Sequence, residues 1–166
     1  YTGASVVRSH LAEFEAWFNK VNSLLGLRNF PTHVELRRDA RGRIRPIEFN
    51  ALRFAGWCCT DITLFAWGFH SYGCFLNGQR PDWDTILQGR EGKLYTLIVL
   101  NKPDNCPPVQ HFDYEALCRG FGRVLHVRKS DFTRYGLFGF LFTETPENAR
   151  QELDSIASST LLEFTS

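Results

Sequence analysis

Apolar residues recur along the first 25 positions at helical spacing: Val7, Leu11, Phe14, Phe18, Val21 and Leu25 follow one another at steps of four and three. That is one stripe of an amphipathic helix, predicted from Ser5 to Leu25, with Gly26 suited to its C-terminus. The period then changes to two. "THVELRRD" and "RIRPIEFN" both alternate, and the "ARG" around Gly42 joins them, so an antiparallel hairpin with a short loop is predicted. Pro46 lacks a ladder donor and places a bulge or an open side in the second strand. On simple alternation Glu48 and Asn50 lie on a solvated side, with Ile47 and Phe49 turned inward.

Downstream, "DITLFAWGF" is a short apolar helix with Thr60 as candidate N-cap, and its aromatic residues, with those of "FAGW", are assigned to the core. The Gly-, Pro- and Asn-rich run from His70 to Gly92 carries one weak helical turn and connects two lobes. Then come the strand "KLYTLIVL", the helix "FDYEALCRGF", the strands "RVLHVR" and "YGLFGFLFTE", and a helix from Pro146 to about Phe164 capped by Thr145. The class is α+β: an antiparallel sheet with packed helices over residues 1–80, a connection at 81–92 and a smaller α+β lobe at 93–166. Residues outside repeats and low-complexity tracts make up the whole length.

Composition narrows the function. At 166 residues with 43% hydrophobic and 22% charged side chains, the chain is long enough to bury a core and too apolar to be disordered throughout. A net charge of +1 gives no overall attraction to nucleic acid or to an anionic membrane. No signal-peptide or membrane-span pattern is present. Five cysteines, odd in number and without CxxC spacing, fit a reducing cytoplasmic setting better than a disulfide framework or a zinc ribbon, and the adjacent Cys58 and Cys59 are taken as small buried thiols. The chain opens on Tyr1 and has no Met, which is expected of a piece of a longer polypeptide.

The chemistry gathers on the hairpin. Across its turn, positions whose numbers sum to about 83 face one another, so Glu48 is predicted near Glu35, with His33, Arg37 and Asn50 on the same side. Opposed side chains of this kind have Cβ atoms about 4.5 to 5.5 Å apart, and two unit charges ~5 Å apart repel by about 3 kcal/mol at an effective dielectric near 20. Three arrangements remove that cost: an arginine between the acids, for which Arg37, Arg45 and Arg53 are candidates; a raised pKa on one acid; or a divalent cation bound to both. Glu35, Glu48 and the Asn50 amide oxygen supply three hard oxygens of the kind Mg²⁺ takes.

"HVELRRDARGRIRPIEFNALRFAG" resembles the metal-binding hairpin in the C-terminal half of the ATP-grasp superfamily, where an acid on one strand is followed a dozen or so residues later by Glu, one residue, Asn. Here the interval from Glu35 to Glu48 is 13 residues, and the long helix before the hairpin and the Gly56 loop after it also look like that layout, so the resemblance covers about residues 1–80. It implies Glu35, Glu48 and Asn50 as ligands of Mg²⁺ on the β and γ phosphates of ATP. It also implies Arg53 as a catalytic contact to phosphate or acyl phosphate, and Arg37 and Ile47 as positions that meet the nucleotide. Arg37 departs from the pattern, which tends to keep an apolar residue beneath adenine there, and "ALRFAG" lacks a proline that many members have.

The implied activity is that of an ATP- and Mg²⁺-dependent ligase joining a carboxylate to an amine or thiol through an acyl phosphate. Its partners would be those small molecules, an N-terminal ATP-grasp subdomain and further copies of the chain in a homo-oligomer, with the isolated chain inactive. The lobe from Lys93 onward matches no family pattern. Two other readings stand beside it. One is a nucleic-acid-binding module using the Arg37, Arg38, Arg41, Arg43 and Arg45 cluster, against which the acids of the same hairpin and the near-neutral charge weigh. The other is a non-catalytic interaction module of ATP-grasp ancestry. His111, His126 and Arg128 are minor candidates in the second lobe, and His33 a brace for Glu35.

Overall fold

The computed structural model describes residues 1–166. Its core is built on one strand. The run Leu137–Pro146 (β6) is buried from Leu137 through Thr143, the mark of a strand covered on both faces and paired on both edges. It lies between β4 (Lys93–Asn101) and β5 (Val124–Lys129), antiparallel to each, and the short β1 (Thr2–Gly3) adds to the far edge of β4, giving the order β1-β4-β6-β5. Leu100, Phe138 and Leu141 pack on one face with Phe112, Leu117 and Leu161. On the other face Ala4, Ala66, Trp67, Leu87 and Tyr95 form one cluster, and Leu137, Phe140 and Phe142 another.

Strict alternation would put Phe138 and Phe140 on one face, yet they lie in opposite clusters. The pairing of Leu100 with Gly139 and of Asn101 with Leu137 leaves Phe138 as an extra residue, and Gly139 absorbs the change of phase at φ 152°. No other residue fits there, because a Cβ on Gly139 would overlap the Arg128 carbonyl oxygen.

Helix α1 (Ala4–Leu25) follows β1 and ends on Gly26 at φ 66°, as the apolar stripe and the glycine predict. The hairpin is β2 (Thr32–Arg38) and β3 (Ile44–Ala51), a separate two-stranded sheet turning through Gly42 at φ 77°. Arg38 donates to both carboxylate oxygens of Glu13 on α1, at 3.0 and 2.5 Å. The Arg38 pair holds the Glu13 carboxyl below the usual carboxylate range. Leu36 and Ile44 line a small cavity with His10 and Phe14, so this face of the hairpin lies against the helix. No residue between Ser5 and Phe65 is fully buried.

Several expectations are corrected. Ile47 is 57% and Phe49 39% exposed, so neither is turned into a core. Trp57 is also exposed, resting edge-on to Tyr135 and tilted on Phe140, whereas Trp67 is buried as expected. None of the five cysteines is buried; Cys59 is exposed and the others half-buried, all unpaired. The apolar helix after Thr60 contains a π-helical turn, Thr63–Trp67, whose extra residue per turn places Ala66 and Trp67 together against Tyr95. The connection carries two helical segments rather than one, α2 (Ser71–Leu76) and α3 (Trp83–Ile86).

The last helix also starts later than predicted. Thr145 and Pro146 end β6 opposite Leu94 and Lys93, and α5 runs from Gln151 to Ser158, followed by a 3₁₀ turn at Leu162–Phe164. Thr-Pro suits a helix start and a strand end alike. Burial decides, because the Thr145 hydroxyl is enclosed and donates to Glu152, which also accepts from the Gly122 N–H at 2.8 Å. No helix is long and apolar enough to cross a membrane.

Helix α4 (Tyr114–Arg119) is capped by Asp113, whose carboxylate accepts from the Ala116 N–H at 2.8 Å. That bond holds the Asp113 carboxyl below the usual range. A folded-state pKa below the unfolded one gives stability present above the unfolded value and lost as pH falls through the folded one. Asp113→Ala is therefore expected to lower the melting temperature at pH 7, with the two proteins converging in acid; melting curves that stay parallel down to low pH would remove the cap's role.

Candidate metal and nucleotide site on the hairpin

Near the turn Arg38 faces Ile44, Arg37 faces Arg45 and Leu36 faces Pro46. If that register continued, Glu48 would face Val34 and share the side that lies against α1. It does not continue. A bulge leaves Ile47 without a partner, and beyond it Glu35 faces Glu48, Val34 faces Phe49 and His33 faces Asn50. The extra residue does two things at once: it lets Ile44 turn onto the helix face, and it sets the two acids opposite one another on the other face. Pro46, which cannot donate to the ladder, stands where the pairing breaks.

The outward face of the hairpin therefore carries three rows: His33 with Asn50, Glu35 with Glu48, and Arg37 with Arg45. Neither Glu35 nor Glu48 enters an ion pair, and both are exposed. Three nearby guanidinium groups are engaged elsewhere. Arg38 holds Glu13, while Arg43 and Arg45 reach Asp39 at 2.9 and 3.4 Å. Asp39 also accepts from the backbone N–H groups of Arg41 and Arg43, both at 2.9 Å, and the Arg43 N–H above all holds its carboxyl below the usual range. Three of the five arginines of the basic turn are thus paired within the chain, two of them sharing Asp39.

Arg53 is exposed and without an acidic partner; Asp61, eight residues on, pairs with Arg128 at 2.7 Å. Its position is fixed by its neighbours. Leu52 turns the chain at φ 62°, and the Phe54 N–H donates to the Tyr72 hydroxyl at 3.3 Å while its ring packs edge-on against Tyr72 and Phe75 of α2. The Arg53 guanidinium folds back over Gly56, with Nη1 3.6 Å from where a Cβ would stand.

The donor set suits Mg²⁺. Two carboxylates free of counter-ions stand opposite one another, and Asn50 adds an amide whose Nδ2 is buried without a partner, as is Nδ1 of His33 across from it. Sequence reasoning missed Arg45 as the partner of Arg37; the signal was Ile44, apolar at a position that strict alternation assigns to the acidic face. It also missed that Arg128, 2.7 Å from Asp61, donates to the Cys58 sulfur at 2.9 Å, a contact between residues 70 apart that no local pattern marks. His126, the other minor candidate on that strand, stacks on Phe65 at 4.8 Å.

The family model described as an ATP-grasp domain matches residues 1–61. No curated protein matches the chain. The matched segment spans β1, α1 and the whole acid-bearing hairpin, and ends at Asp61, the first helical residue before the π-helical turn. Residues 1–61 are thus similar to an ATP-grasp domain.

Proposed function

We propose that the hairpin is the phosphate end of a Mg²⁺–ATP site, in a ligase that joins a carboxylate to an amine or thiol through an acyl phosphate. The single observation that carries this reading is the pairing of Glu35 with Glu48 without a guanidinium between them. A purely structural ribbon has no reason to keep two facing acids uncompensated.

Glu35, Glu48 and the Asn50 side chain would hold the ion, and Mg²⁺ there supplies charge neutralisation on the terminal phosphates. The remaining work falls to positioning by this chain. Arg37 faces Arg45, and Arg45 is drawn to Asp39, so Arg37 is left to meet an anion beside the acids. This suits a residue at a nucleotide-contact position better for phosphate than for the adenine ring. Arg53, pinned beside the hairpin by Phe54, presents a planar fork to a transferring phosphoryl group or to the acyl phosphate. Ile47, outward at the bulge, offers apolar surface to the nucleotide.

The test is phosphate release from ATP by the full polypeptide, measured against a panel of carboxylic acids and amino acids with and without a chelator. Release stimulated by one acid and nucleophile, and lost on chelation, is expected, with none from residues 1–166 alone. Absence of any Mg²⁺-dependent ATP binding or turnover in the full polypeptide would refute the reading.

A further inference from the structure

Asn50 is the one uncharged member of the hairpin's donor set, and its amide serves a cation in only one of two orientations. Turned one way it offers Oδ1; turned the other it offers an N–H pair that repels the ion. Something must choose between them. The alternation that sets Glu48 and Asn50 on one face of β3 sets His33 and Glu35 on the same face of β2, with His33 directly opposite Asn50.

Both side chains are half-buried, and each encloses one polar atom without a partner: Nδ2 of the amide and Nδ1 of the ring. No other residue of the hairpin leaves a buried side-chain nitrogen or oxygen unpartnered. The two atoms are complementary, since Nδ2 can only donate and Nδ1 of an imidazole carrying its proton on Nε2 can only accept. Left apart, each bears the penalty of a desolvated polar group; one bond between them removes both penalties. Directly opposed residues hold Cβ atoms about 4.5 to 5.5 Å apart, so side-chain rotation is enough to bring the amide to the ring.

We propose that His33 is a positioning residue for the metal site: its Nδ1 accepts from Asn50 Nδ2 and holds the amide oxygen toward the ion that Glu35 and Glu48 share. This rests on the Mg²⁺ reading of the hairpin. His33 does not itself touch the ion. With Nδ2 turned inward onto the ring, the planar amide leaves Oδ1 on the outer side, beside the row formed by Glu35 and Glu48.

Two substitutions separate this role from packing. His33→Phe keeps a ring but has no acceptor, whereas His33→Asn places an amide oxygen near where Nδ1 stood. In the full polypeptide, Mg²⁺ affinity measured by calorimetry beside a non-hydrolysable ATP analogue is expected to fall at least ~10-fold in His33→Phe. Most of that loss is expected to be recovered in His33→Asn, with thermal melts checking that each variant is folded. Nitrogen NMR of the wild-type protein reads the bond without any substitution: with Mg²⁺ and the analogue bound, His33 is expected as the Nε2–H tautomer, its Nδ1 accepting a hydrogen bond from the Asn50 side chain. Unchanged affinity in His33→Phe, equal loss in both variants, or a proton on Nδ1 in the complex would overturn the role of His33 while leaving the metal site in place. A wild-type protein that binds no Mg²⁺ would overturn the hairpin reading and this inference together.

Discussion

Replacing Glu48 by glutamine is expected to abolish Mg²⁺-dependent ATP turnover in the full polypeptide while leaving the fold intact. The substitution keeps the shape of the side chain and removes one of the two charges that would hold the ion. Loss of a preorganised charge at a phosphoryl-transfer site typically costs at least ~10²-fold in rate, and Mg²⁺ affinity should fall alongside it. Stability should not fall, because Glu48 is exposed, makes no ion pair and faces a like charge on Glu35. Phosphate release, a Mg²⁺ titration and a thermal melt on the same preparation check the three parts. A variant that turns over ATP at the wild-type rate would show that Glu48 is not a ligand.

The other large effect is structural. Gly139→Ala is expected to destabilise the fold by about 3 kcal/mol or more, since it adds a strained backbone angle to overpacking in a filled core. Gly139 is buried in β6 at φ 152°, and its added Cβ would strike the Arg128 carbonyl, forcing β5 and β6 apart. Gly136→Ala is the control, because nothing lies within 4 Å of its Cβ position. Urea denaturation of the two variants should give a large fall in midpoint for the first and almost none for the second. Midpoints that fall equally would refute the steric account.

Much of this architecture can be read from periodicity. The stripe from Val7 to Leu25 marks α1, Gly42 marks the hairpin, and the apolar runs after Lys93 mark β4, α4, β5 and β6. What periodicity misses are changes of phase. The bulges at Ile47 and Phe138 each turn an alternating pattern over, and a bulge leaves little local trace beyond a nearby Pro46 or Gly139. The opposition of Glu35 and Glu48 was legible only because an approximate sum of 83 matches the register beyond the bulge; the register nearer the turn sums to 82. Pro146 misled because its local preference fits two elements, and only the burial of Thr145 chooses between them. Trp57 shows the same limit from the other side: an aromatic beside a glycine turn can rest on a surface.

The uneven placement of the buried residues bears on how ligand binding would feel to the molecule. Everything fully enclosed between Ser5 and the C-terminus belongs to the four-stranded sheet and its covering segments, so the acid-bearing ribbon can tilt or loosen while that sheet stays whole. A nucleotide settling there would have to stiffen the ribbon as it binds, and part of its intrinsic attraction would be absorbed in doing so. Recognition and local ordering would then be one event, with grip on the ligand governed by whatever braces the ribbon from outside.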